Sequence, residues 1–82
     1  MSSHKLEVKI KPKIKAIADK QNRSRTWLAQ SAMVQYNTIQ RLWTAEEKGL
    51  TVEDVSLVTM IRIAHALKVP VTDLYEEVTN GS

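Results

Sequence analysis

Residues Trp27–Leu42 place the tightest constraint on what this chain can fold into. Leu28, Ala29 and Ala32 recur at i, i+1 and i+4, the spacing of one apolar helical face. Ile39 and Leu42 recur at i and i+3 on a second short helix. Only a short corner carrying Val34 separates the two, so both apolar faces must point into the same crevice. Ala29 is small enough for the second helix to cross close over the first. Gln35, Tyr36, Asn37, Gln40 and Arg41 are left facing outward, on a face with no aliphatic residue. Their side chains are of the kinds that hydrogen-bond to base edges and phosphates. Two helices meeting at such a corner make a helix-turn-helix pattern, and the outward face of the second suits a DNA major groove.

The distribution of charge points the same way. Residues 1–43 carry nine Lys and Arg against Glu7 and Asp19, a net of +7, within a chain whose total is +3. Residues 44–82 carry three Lys and Arg against seven acids, a net of −4. Such a dipole turns its first half toward a polyanion. A solubilising surface with a chance asymmetry would give the same count.

Several function classes are excluded by what is missing. The chain has no cysteine, which removes a disulfide framework and a thiolate zinc site. His4 and His65 have no third ligand candidate near them, so no metal is expected. No apolar run approaches the ~18 residues of a membrane span, and the first residues are too polar for a secretory signal. A cytoplasmic protein, bacterial or phage nucleoid-associated, with no membrane partner is the expectation. No carboxylate pair, nucleophile–base set or glycine-rich phosphate loop is present, so no enzyme activity, catalytic residue or cofactor is expected.

Read in order, the 82 residues make one expected domain, 1–82, with an ordered core over about 6–78. Leu6, Val8 and Ile10 alternate with charged residues, which permits a short N-terminal β-strand. Pro12 suits the first turn of a helix, and Ile10, Ile14, Ile17 and Ala18 carry that helix to about Gln21. Lys9, Lys11, Lys13 and Lys15 crowd its entry, where positive charge is mildly unfavourable. Two readings of these lysines stay open: a phosphate-binding arm, with Lys9, Lys11 and Lys13 as the contacts, or a solvated arm.

Ser24 is a good cap for a second helix from Arg25 to about Ala32, and its amides with Arg25 would form an anion site. Trp27 lies off the apolar face and is expected to lid the first helix. Residues 44–55 read as a polar, acidic connection turning at Gly49, pointing away from a duplex or folding back on Lys48. Ser56 caps a fourth helix with Met60, Ile63, Ala64 and Leu67 inward and His65 on the surface. Pro70 stops it, and Thr72 or Asp73 caps a short fifth helix bearing Leu74 and Val78. The expected core is Ile10, Ile14, Ile17, Leu28, Ala29, Ala32, Val34, Ile39, Leu42, Met60, Ile63, Ala64, Leu67 and Leu74. The fold class is all-α with five short helices.

Three pieces of sequence resemble the Xre family of helix-turn-helix regulators, which includes the phage Cro and repressor DNA-binding domains. They are Trp27-Leu28-Ala29 with Val34, then Tyr36-Asn37-Thr38-Ile39, then Ile63-Ala64-His65-Ala66-Leu67-Lys68-Val69 leading to Asp73-Leu74. The resemblance spans roughly residues 10–78 and implies a compact lambda-repressor-like domain. It implies that Gln35, Tyr36, Asn37, Gln40 and Arg41 read bases, and that Ser24 and Arg25 clamp a phosphate. Thr38 would contact phosphate or pack against the corner. Two departures stand out. Met33 occupies the corner position where the family has glycine, at a cost of about 1 kcal/mol unless burial of its side chain offsets it. The 44–55 connection is longer and more acidic than the family's usual loop.

The resemblance implies a sequence-specific, double-stranded-DNA-binding transcriptional regulator acting as a homodimer on a palindromic operator. Its mate would pair through Leu6, Val8 and Ile10 or pack near Val71, Leu74 and Val78. In a second reading the chain is a protein-interaction module or antitoxin-type adaptor, docking a protein partner at the acidic 44–55 loop. A third is nonspecific nucleic-acid binding through the lysine-rich arm.

Overall fold

The computed structural model describes residues 8–79. They form strand β1 (Val8–Pro12), helices α1 (Ile14–Lys20), α2 (Arg25–Ala32), α3 (Tyr36–Lys48) and α4 (Leu57–Leu67), a 3-10 turn over Val71–Leu74, and strand β2 (Tyr75–Thr79). The structure is mostly helical with one small sheet. Four α-helices stand among the described residues where the sequence predicts five.

The discrepancy lies at the C-terminal end. Val71–Leu74 closes only a 3-10 turn, and Tyr75–Thr79 runs as a strand antiparallel to β1. A helix this short is marginal by itself, whereas Tyr75, Val78 and Thr79 fit a pleated surface and β1 offers an open edge. Lys11 stands opposite Glu76 and Lys9 opposite Val78 in the register. The other edge of β1 is bonded too: Ile10 N–H donates to the Val52 carbonyl at 2.9 Å, and Val52 N–H returns the bond at 2.8 Å. The alternation at Val8 and Ile10 therefore does make a strand, and it finds its partners within the chain. Leu6 lies outside the described residues.

The helices follow their local signals closely where a cap is encoded. Ser24 and Ser56 accept from the N–H groups of Trp27 and Thr59, at 3.0 and 3.1 Å, and start α2 and α4. Gly49, at φ 69°, ends α3 in the left-handed conformation that costs glycine nothing. That stop comes later than expected. Residues 44–48 belong to α3, so the acidic connection shrinks to the seven residues 50–56. The extension is anchored by burial of Trp43 and Ala45 and by the bonds of Glu46 described below.

One cluster of buried side chains holds the elements together, with Ile14, Leu28, Ile39, Leu42, Ile63, Leu67 and Leu74 at its centre. Ala18, Trp43, Ala45 and Val52 join the core without having been expected there. Ile10, Ile17 and Val34, expected inside, are only partly buried against its edge. Trp43 was legible, since Ile39, Leu42 and Trp43 fall at i, i+3 and i+4. No helix among the described residues is long and apolar enough to cross a membrane.

Candidate nucleic-acid interface

Helices α2 and α3 join through a left-handed residue. Met33 sits at φ 57°, ψ 46°, and the Met33 and Val34 N–H groups close the end of α2 on the carbonyls of Gln30 and Ala29. Arg62 of α4 reaches across and donates to the Met33 carbonyl at 3.3 Å. The expected compensation for a non-glycine corner is absent: the Met33 side chain is 80% exposed. Its backbone is held by the two terminal bonds and Arg62, while the side chain lies in solvent.

Gln35 stands before α3 with extended backbone and, among the described residues, caps the helix with no side-chain bond. Gln35, Tyr36 and Asn37 are exposed, so the first turn of α3 presents their polar groups to solvent. Thr38 is half-buried beside them.

Two of the expected site residues meet directly. Arg25, the first residue of α2, donates from Nη1 to Gln40 Oε1 of α3 at 2.8 Å. Its guanidinium also lies 5.8 Å from the centre of the Trp43 ring. The expected phosphate residue and an expected base reader are thus one unit, tied across the two helices on a tryptophan. Arg23, which the sequence did not single out, stacks on Trp27 at 4.2 Å. The i, i+4 spacing of that pair was the available signal, although both residues straddle the start of α2. Ser24 lies between the two arginines with its hydroxyl engaged by the cap.

Arg41 is exposed on the outer face of α3, and it is not alone. Its Nη1 donates to Asp54 Oδ1 at 2.7 Å. Hydrogen bonding and the positive charge of Arg41 hold the Asp54 carboxyl below its ordinary range. The acidic connection therefore does not point away from this face; it shares a groove with Lys48, and its Asp54 pairs with Arg41. It runs beside α3, because Val52 is pinned to Ile10 and leads Asp54 back along the helix.

The lysine arm is placed differently from the helical residues. Lys9 and Lys11 lie on β1 against the acidic strand β2, and Lys13 Nζ lies 3.9 Å from Glu76 Oε1. Lys11 and Lys13 are thus set against Glu76, and Lys9 stands opposite Val78. Glu46 was missed entirely. Its carboxylate accepts from Lys15 N–H at 2.7 Å and Ala16 N–H at 2.9 Å, capping α1 from another helix. Burial pushes its carboxyl above the usual value, against the pull of those two bonds.

Among the described residues no group of three His, Cys, Asp or Glu is placed to hold a metal ion. Neither a family model nor a curated protein sequence matches this chain.

Proposed function

We propose that this chain is a sequence-specific, double-stranded-DNA-binding transcriptional regulator of the cytoplasm, with a lambda-repressor-like helix-turn-helix of the Xre type. In this reading α3 enters the major groove, and Tyr36, Asn37 and Arg41 reach the base edges. Arg25 and the Ser24 region meet a phosphate at the start of α2. The observation that carries the reading is the Arg25–Gln40 bond. It joins the phosphate side of α2 to the base-reading side of α3, so that contact with the backbone sets the register of the readers.

One such motif covers only a few base pairs, and a palindrome read by two copies is the usual solution. Neither edge of β1 is open for a mate, since β2 and Val52 occupy both at Ile10. Leu74 is fully buried. We assign the mate instead to the outer face of α4, where Leu57, Val58 and Ile61 are 65%, 59% and 36% exposed. Glu53 precedes this helix, whereas Lys68 stands at its other end. Antiparallel packing about a twofold axis near Ile61 sets the acidic end of one copy against the basic end of the other. A second copy of the chain is therefore the occupant that fits.

The test is selection of bound duplexes from a randomised pool at near-physiological salt. A palindromic site with half-sites about one helical turn apart is the expected result. No enrichment, with binding that disappears as salt rises, would leave a nonspecific or partner-directed domain. In the lysine-arm version of that alternative, Lys13 would exchange its exposed Glu76 partner for a phosphate.

A further inference from the structure

The groove beside α3 has two chemically opposed walls. Asn37, Gln40, Arg41 and Thr44 form one, and Glu53 and Asp54 stand on the other. Arg41 and Lys48 are the cations of α3, both lining this groove, and a carboxylate is set directly upon Arg41. Both side chains remain in solvent, 47% and 74% exposed. A surface pair of this kind contributes little to stability. It does, however, dictate where the guanidinium points. Arginine has five N–H donors, and Asp54 engages Nη1, which leaves donors for a second acceptor.

We propose that Asp54 is a specificity-determining residue, which aims Arg41 at a guanine while opposing the general attraction of phosphates to this face. The inference rests on the DNA-reading role of α3. On guanine, Arg41 reaches O6 and N7 with its remaining donors and keeps its bond to Asp54. A phosphate that approaches the remaining donors meets the Asp54 carboxylate beside them, so it gains less from Arg41 than guanine does. The carboxylate also repels every phosphate nearby, whatever the sequence. Asp54 thus lowers random binding more than it lowers binding to the preferred site.

The experiment compares wild type, Asp54→Asn, Arg41→Ala and the double variant. Each is titrated against the duplex that wild type enriches from a random pool and against a scrambled duplex, at several salt concentrations. Circular dichroism checks that all four are folded. With Asp54→Asn, binding to the scrambled duplex should strengthen and its salt slope should steepen by about one. The ratio of preferred to scrambled affinity should fall about tenfold, the scale of one good base contact. In the Arg41→Ala background, Asp54→Asn should leave that ratio unchanged. An unchanged ratio for Asp54→Asn in the wild-type background overturns the proposal and leaves the DNA reading standing. So does an enriched site with no guanine. A wild type that enriches no duplex overturns the DNA reading, and this inference with it.

Discussion

Glu46 and Lys15 are bonded across two helices: the carboxylate on the last turn of α3 accepts the Lys15 backbone N–H at 2.7 Å, and the neighbouring Ala16 N–H at 2.9 Å. Helix α1 begins at Ile14 after a lysine whose side chain makes no capping bond, so its first amides have no local acceptor. The cap comes from 31 residues away. That is how a helix whose entry is crowded with lysines is tolerated, and why α3 continues to Lys48.

Replacing Glu46 with Ala should destabilise the fold by about 1 kcal/mol, the usual cost of a lost cap. In a domain of this size that is a fall of roughly 4–8 °C in melting temperature. A melting curve identical to wild type would show that water replaces the carboxylate without loss.

Glu46 also predicts a direction with pH. Its carboxyl is raised in the folded chain, chiefly by burial. A raised carboxyl binds protons more readily folded than unfolded, so its charged form is a penalty above the folded value. Wild type should therefore gain stability relative to Glu46→Gln as pH falls from neutrality towards the ordinary carboxyl value of 4.5. Urea unfolding of both proteins at pH 7 and pH 4 measures this. A difference that stays constant, or changes the other way, rejects the burial account.

Met33 adopts a left-handed backbone with its side chain 80% exposed. Nothing gained by burial offsets the strain of about 1 kcal/mol, so Met33→Gly should stabilise the chain by up to about 0.5 kcal/mol once glycine's larger entropy in the unfolded state is deducted. Thermal melting decides it. A loss of stability would mean that the exposed side chain makes a contribution its surroundings do not suggest.

The Arg25–Gln40 unit predicts non-additive binding. Arg25→Ala and Gln40→Ala should each weaken duplex binding, and the double variant should lose less than the sum, with a coupling of about 0.5–3 kcal/mol. Strict additivity would show that the two residues act separately, despite their 2.8 Å bond.

For the assigned mate surface, Ile61→Asp should leave the monomer folded, since Ile61 is 36% exposed, and abolish self-association. Sedimentation velocity with and without DNA provides the measurement. A dimer of unchanged affinity would move the interface away from α4.

Where a feature is encoded within one or two helical turns, the amino-acid sequence by itself determined it. Ser24 and Ser56 start α2 and α4, the Leu28/Ala29/Ala32 and Ile39/Leu42 spacings turn those residues inward, and Gly49 supplies a left-handed stop. Each rests on bonds or periodicity among near neighbours. Tertiary structure decided the rest, because the competing local states are close in free energy there. Tyr75–Thr79 is a strand because β1 is beside it, and the capping of α1 depends on a glutamate two helices away. Likewise, Arg41 is directed by Asp54 only because Val52 is hydrogen-bonded to Ile10, which brings the acidic connection back along α3. Such partners lie between 13 residues apart, as Arg41 and Asp54 do, and 71, as Val8 and Thr79 do, beyond the range at which any periodicity of the chain reports them.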